Sequence, residues 1–87
     1  MSYHVRWDTE ALEDLKNLGH AEAKRIVKKV ESHLAKDPLS LGKALRGNLS
    51  GLYRYRIGDY RVLYEIIQKE IVIEVVSVGH RKDVYED

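Results

Sequence analysis

The sequence predicts an α+β domain in which an N-terminal helical hairpin packs on one face of a small, mainly antiparallel sheet. Apolar residues recur at helical spacing in the first half of the chain, and runs of β-branched and aromatic residues fill the second half. The predicted element order is βααβββ. A chain of 87 residues has room for one domain, residues 1–87, with one modest core.

The chain opens with a short strand and a helix. Residues 4–7 alternate between apolar and polar, as a half-buried strand does. Asp8 or Thr9 then provides the N-cap of a helix whose leucines recur at helical spacing as far as Leu18. Gly19 ends this helix, because glycine favours the position just after a helical C-terminus.

A second helix is predicted over about residues 21–36, since its apolar side chains form one stripe and its lysines lie off that stripe. Asp37-Pro38 closes it, because the residue before a proline disfavours helical geometry. Residues 39–50 combine turn formers with Leu41, Leu45 and Leu49, which predicts an ordered crossover loop. The short turn between the helices makes them an antiparallel or steeply crossed pair.

Three strands are predicted over residues 52–57, 60–67 and 71–79, which are rich in β-branched and aromatic residues. The last of them is apolar on both faces, which is typical of a central strand. We therefore expect a sheet of three or four strands that packs one face on the helices and leaves the other face open.

The dipeptide Gly58-Asp59 lies between two of these strands and indicates a two-residue hairpin loop of type II′. This loop fixes the register, so that Arg56 lies opposite Arg61, and Arg54 lies on the same side of the sheet. Like charges placed opposite each other repel unless an anion lies between them. Three guanidinium groups on one open face are therefore a candidate phosphate site.

Two alternatives apply to this hairpin. The arginines could instead form an ordinary surface network of ion pairs with Glu65 or Glu74. The aromatic side chains on the opposite side could stack on bases, but their alternation favours a place in the core. These side chains are Tyr53, Tyr55, Tyr60 and Tyr64.

The net charge of +1 conceals a strong segregation of charge along the chain. Residues 1–15 and residues 62–87 each carry −3, whereas residues 16–61 hold eleven Lys or Arg against four Asp or Glu, which gives +7. A field of this kind suits a polyanion or an acidic protein partner. A solvated helix face balanced by acids elsewhere is the alternative.

Several classes of protein are excluded by what the sequence lacks. There is no cysteine, no apolar run long enough to span a bilayer, and no signal-peptide layout, which predicts a soluble cytoplasmic protein without a membrane partner. The four histidines lack the spacing of metal ligands, so no metal is expected. No nucleotide-binding or serine-hydrolase motif occurs, and no cofactor is expected.

The segment Gly79-His80-Arg81-Lys82-Asp83-Val84-Tyr85 follows the last strand and carries four polar or ionisable groups suited to phosphate chemistry. Strand ends that meet solvent often carry function. A frayed basic terminus is the alternative.

Three motifs together resemble the RelE/ParE toxin superfamily, and its RelE branch in particular. They are Leu45-Arg46-Gly47, the hairpin sequence Y-R-Y-R-I-G-D-Y-R-V-L-Y over residues 53–64, and the ending V-G-H-R-K-D-V-Y over residues 78–85. The resemblance covers nearly the whole chain. It implies a ribosome-dependent, metal-independent endoribonuclease that cuts mRNA in the ribosomal A site and is neutralised by a cognate RelB-like antitoxin.

The resemblance also implies roles for individual residues. Arg61 matches the hairpin arginine that contacts the scissile phosphate, and Arg81 and Tyr85 match the arginine and tyrosine of the tail. These three are the expected catalytic residues. The expected RNA-binding residues are Lys43, Arg46, Arg54, Arg56, His80 and Lys82.

Two other functions remain open. The ParE branch of the superfamily inhibits DNA gyrase and cuts no nucleic acid, although the tail with Arg81 and Tyr85 favours the nuclease branch. A non-catalytic module that binds RNA or the ribosome would show binding without strand scission.

Overall fold

A computed structural model describes residues 2–80 and has the predicted α+β architecture, with three α-helices and one five-stranded mixed sheet. Short 3₁₀ turns connect several of the elements. In chain order, the elements are β1 (His4–Trp7), α1 (Thr9–Leu18), α2 (His20–Ser32), α3 (Pro38–Leu41), β2 (Lys43–Ala44), β3 (Tyr53–Ile57), β4 (Tyr60–Ile67) and β5 (Val72–His80).

The strands lie in the order β1-β5-β4-β3-β2. The strand β1 runs parallel to β5, whereas the other three pairs are antiparallel. The expectation of three or four strands was therefore wrong. The additional strand is β2, which has two residues, lies inside the segment predicted to be a loop and pairs with β3. The last strand has a neighbour on each side, as its apolar sequence predicted.

The helices cover one face of the sheet, which we call the helix face. Ala11 and Leu15 of α1 and Ile26 and Val30 of α2 are buried in one hydrophobic cluster with residues of β3, β4 and β5. These four positions have the spacing that brings side chains to one face of a helix. No helix of residues 2–80 is long and apolar enough to cross a bilayer.

The second helix ends at Ser32, before the predicted boundary at residue 36, and a 3₁₀ turn over Leu34–Lys36 follows it. At this break, Nδ1 of His33 and the hydroxyl of the buried Tyr55 lie 2.5 Å apart, at hydrogen-bond distance. This contact between His33 and Tyr55 favours the end of α2 at this point, although the sequence pattern alone would continue the helix. Asp37 then caps α3, because its carboxylate accepts a hydrogen bond from the Ser40 N–H at 3.4 Å.

The segment from α3 to β2 packs directly against Tyr64, which is fully buried. The Tyr64 hydroxyl donates to the Pro38 carbonyl at 2.7 Å, and its ring stacks on Tyr53 with centroids 5.6 Å apart. A Cβ atom at Gly42 would lie 1.8 Å from the Tyr64 hydroxyl oxygen, so only glycine permits this approach. Gly42 thereby allows the next residue, Lys43, to pair with Arg54.

Candidate nucleic-acid interface

The face opposite the helices carries Arg54, Arg56 and Arg61, and we call it the arginine face. The predicted register is confirmed, because Ile57 pairs with Tyr60 and Arg56 pairs with Arg61. Arg61 also pairs with Gly79 of β5. Arg56, Arg61 and Gly79 therefore form one row across three strands.

A second row lies two residues further along each strand. Lys43 pairs with Arg54, Arg54 pairs with Leu63, and Leu63 pairs with Ser77. Two residues of extended chain span about 7 Å, which sets the distance between the rows. The four basic side chains of these rows project from the same face, since cross-strand partners share a face.

The hairpin loop that fixes this register is supported from α2. Gly58 has φ +60° and no other loop residue has a positive φ, which is the geometry of a type II′ turn. A Cβ atom at Gly58 would lie 3.1 Å from a guanidinium nitrogen of Arg25, which also forms an ion pair with Glu22 at 3.4 Å. The N-terminal half of α2 therefore packs against the hairpin loop.

The arginine face is not open along its whole length, contrary to expectation. Arg61 is only 1% exposed and Leu63 is also buried, whereas Arg56 and Lys43 are exposed and Arg54 is half-buried. Arg61 lies on β4, which has a neighbouring strand on each side, and this central position favours its burial. A buried guanidinium interacts more strongly with a charged ligand than an exposed one does.

A separate row of charged groups lies at the far end of the same face. Arg6 forms ion pairs with Glu74 at 2.8 Å and with Glu70 at 3.2 Å. A hydrogen bond to Glu74 raises the pKa of Asp8, and hydrogen bonds from Asp8 and Arg6 lower the pKa of Glu74. Glu74 was considered as a counterion for the hairpin arginines, but it forms an ion pair with Arg6.

His80 lies on the other side of the sheet from Arg61. It pairs with Tyr60, and the two rings meet edge to face with centroids 5.6 Å apart. It borders a cavity of about 440 Å³ whose wall also includes Asp14 of α1. The expected RNA-binding histidine is therefore not brought together with the arginines.

The remaining candidates fall into two groups. Arg46 is exposed in the loop after β2. Arg81, Lys82 and Tyr85 lie outside the described residues. Within residues 2–80, no group of three or more His, Asp or Glu side chains could hold a metal ion.

The tyrosines on the helix face belong to the core, as their alternation predicted. Tyr55 and Tyr64 are buried, and Tyr53 and Tyr60 pack against the same cluster. Burial raises the pKa of Tyr55 and Tyr64 above the ordinary value. These rings are therefore not a platform for stacking bases.

Comparison with known proteins agrees with this architecture. The model of the family described as "ParE toxin of type II toxin-antitoxin system, parDE" matches residues 5–85. The chain belongs to this toxin family. The toxin is 36% identical to Toxin RelG of Mycobacterium tuberculosis, over 98% of both chains.

Two further relatives lie on the RelE side of the family. The toxin is 30% identical to the mRNA interferase toxin RelE of Escherichia coli, over 100% of this chain and 94% of that protein. It superposes with a TM-score of 0.89 and 35% identity on a chain of the toxin–antitoxin complex RelBE2 from Mycobacterium tuberculosis, with 95% of each chain covered. The resemblance to the RelE/ParE superfamily is thereby confirmed.

Sequence reasoning missed three residues that contact β4, β5 or the hairpin loop. Gly42, Arg25 and Asp14 have no recognisable motif, because each acts through one tertiary contact. Only Gly42 left a signal, since a glycine beside a short edge strand is typical of a close backbone approach.

Proposed function

We propose that this toxin is an endoribonuclease that cuts mRNA in the A site of the ribosome and requires no metal ion. The observation that carries this proposal is the row of Arg56, Arg61 and Gly79, with Arg54 and Lys43 in the next row. Guanidinium groups that share one face can bind the oxygens of a phosphodiester and stabilise the charge that develops there.

RNA contains its own nucleophile, which is why the protein needs only positioning, charge stabilisation and proton transfer. The 2′-oxygen attacks the neighbouring phosphorus, the bond from phosphorus to the 5′-oxygen breaks, and a cyclic phosphate remains. The 2′-hydroxyl loses a proton to a base, and the 5′-oxygen gains a proton from an acid. Each of these steps can be served by side chains.

In the proposed mechanism, Arg61 and Arg56 bind the non-bridging oxygens of the scissile phosphate. Arg81 stabilises the leaving 5′-oxygen, and Tyr85 transfers a proton as base or acid, because guanidinium groups favour a phenolate. Lys43, Arg54, Arg46 and Lys82 bind adjacent phosphates. His80 contributes at the strand end and not within the arginine rows.

His80 lies on the side of the sheet opposite Arg61, so we propose that the ribosome supplies part of the catalysis by bending the codon in the A site. The proposed setting is therefore the cytoplasm. A RelB-like antitoxin is the proposed protein partner, because the similar Mycobacterium tuberculosis toxin was solved in a toxin–antitoxin complex. The basic segment of the chain suits an acidic partner.

Primer extension on a defined message, translated with and without purified toxin, tests this proposal. We expect cuts only in translated RNA, and none at a position that carries a single 2′-deoxynucleotide. Arg61→Gln should lower the cleavage rate at least about a hundredfold. Arg6→Gln is the matched control, since Arg6 lies on the same face but forms ion pairs with Glu74 and Glu70. Cleavage that survives Arg61→Gln, or that proceeds at the 2′-deoxy position, would refute the mechanism.

A second function is supported by the description of the matching family, which names the ParE toxin. A toxin of that branch would inhibit DNA gyrase and leave mRNA intact. A supercoiling assay run beside primer extension distinguishes the two, because only one of the substrates should be affected.

A further inference from the structure

The strand β5 extends beyond the end of its neighbour β1. The two pair from His4 with Val72 to Trp7 with Val75, and the Asp8 N–H then donates to the Val75 carbonyl at 2.9 Å. On its other side, β5 remains paired with β4 as far as His80. Residues 76–80 therefore have an edge that β1 does not reach.

A carboxylate of α1 meets this edge. The Val78 N–H donates to Oδ2 of Asp14 at 2.9 Å, and Asp14 is half-buried. Ala11 and Leu15, on either side of Asp14 in the helix, are buried in the core, so the carboxylate is carried by a fixed element. A backbone N–H bonded to a carboxylate forms one of the stronger hydrogen bonds. The Asp14 carboxylate thus provides, for the Val78 amide, the hydrogen-bond acceptor that a neighbouring strand would otherwise provide.

The amide that Asp14 binds is selected by a bulge in β5. Leu63 pairs with Ser77 and Tyr64 pairs with Val75, which leaves Val76 as an extra residue. An extra residue reverses the alternation of the strand that follows. As a result, Val78 points its side chain into the core, and Gly79 lies opposite Arg61 on the arginine face.

Without the bulge, the side chains of residues 77–80 would each project from the opposite face of the sheet. The Val78 amide would point towards β4, and Asp14 would lose its donor. Val78 would then occupy the row of Arg56 and Arg61, and His80 would move from the helix face, where it contacts Tyr60, to the arginine face. The bulged register is therefore the one that keeps the imidazole away from the arginines, and Asp14 favours it.

We propose that Asp14 is a positioning residue that holds β5 in its bulged register and thereby fixes the strand end beside Arg61. The inference rests on the proposed function, since it matters for cleavage only if RNA binds the arginine face. Asp14 itself touches no substrate. Its effect passes through the Val78 amide to Gly79, which lies opposite Arg61.

The test combines a structural and a kinetic measurement on the full-length toxin. Amide hydrogen exchange followed by NMR reports on Val78, with Ile73 as a core reference, and cross-strand nuclear Overhauser contacts report on the pairing of Arg61 with Gly79. Cleavage of a translated message and toxin–ribosome affinity are measured separately. Glu13→Ala, at the exposed neighbouring position, is the control.

For Asp14→Ala, we expect Val78 to exchange at least about tenfold faster relative to Ile73, and the Arg61–Gly79 contacts to weaken. The cleavage rate at saturation should fall at least about tenfold while ribosome affinity changes less than about twofold. Asp14→Asn keeps a side-chain oxygen that can accept the Val78 N–H, so it should stay within about threefold of the wild type in both measurements.

Two results would overturn the inference: unchanged exchange of Val78 in Asp14→Ala, or normal cleavage despite its deprotection. If Asp14→Ala does not fold, the test rests on Asp14→Asn, provided that this variant folds and keeps the Val78 amide protected from exchange. Loss of cleavage in Asp14→Asn would then show that the effect depends on the charge of residue 14 and not on the register of β5, which would overturn the inference. Wild-type protein that cuts no message would instead refute the proposed function, and the exchange data would still show whether Asp14 holds the register.

Discussion

Replacing Gly42 by alanine should destabilise the toxin by steric overlap alone. Gly42 has φ −100°, which any residue adopts, so no backbone strain is added. The new Cβ atom would lie 1.8 Å from the Tyr64 hydroxyl oxygen and 2.8 Å from its Cζ. Tyr64 must therefore move and release the buried Pro38 carbonyl that it binds at 2.7 Å.

The cost has two parts. Overpacking costs about 1–3 kcal/mol, and a buried carbonyl left without its hydrogen bond costs about another 1–3 kcal/mol. The sum, about 2–6 kcal/mol, is a large share of the typical stability of a small domain and, at about 4–8 °C per kcal/mol, corresponds to a fall in Tm of at least about 8 °C. Lys43 would also be displaced from Arg54, so cleavage should fall in any folded fraction.

Thermal and urea unfolding of four variants checks this reasoning. Gly47→Ala is the matched control, because Gly47 has φ +63° with no atom within 4 Å of its Cβ position, and should cost only about 1–2 kcal/mol of backbone strain. Tyr64→Phe alone removes the hydrogen bond, and in Gly42→Ala/Tyr64→Phe the loss should be smaller than the sum of the single losses by about 1 kcal/mol or more. A Gly42→Ala variant as stable as Gly47→Ala, or additive losses in the double variant, would refute the reasoning.

Three further predictions follow from the pKa shifts, the tail and the charge pattern. Burial raises the pKa of Tyr55 and Tyr64, so as the pH rises these phenols ionise first in the unfolded chain. The free energy of unfolding should therefore be level from about pH 8 to about 10 and fall above it, less steeply in Tyr64→Phe. An unchanged stability at about pH 11 would contradict this. Tyr85→Phe should slow cleavage markedly and leave ribosome binding nearly unchanged, whereas equal losses in both would assign Tyr85 to stacking. Antitoxin binding, measured by calorimetry, should weaken as salt rises from about 50 to 500 mM; affinity insensitive to ionic strength would exclude an electrostatic contact with the basic segment.

Local patterns were sufficient to predict most of the elements and the geometry of the hairpin. Gly58-Asp59 restricts the loop to two residues, and this restriction alone determines that Arg56 faces Arg61. The helices were found from their apolar stripes, because both of them bury one side. The alternation of tyrosines on β3 and β4 correctly assigned these rings to the core.

The features that escaped prediction depend on contacts between distant residues. Strand β2 has only two residues, which is too short for any alternation, and it exists because Gly42 can approach Tyr64. The bulge at Val76 lies in a run of valines that looks the same in either register. The burial of Arg61 is equally invisible in the sequence, since arginine is almost never fully buried and nothing in the sequence of β4 marks this one as an exception.

The pairing of β1 with β5 has a consequence for the biogenesis of the toxin. These strands join residues that are 68 positions apart in the chain, as Arg6 and Glu74 are, so closing the sheet requires a much larger loss of chain entropy than forming the helices or the hairpin. During synthesis, β1 emerges first and has no partner until β5 has been made. The row that contains Arg61 is incomplete for the same interval, since Gly79 belongs to the late strand. A nascent chain is thus unable to assemble its arginine face before nearly all of the described residues have left the ribosome that makes it.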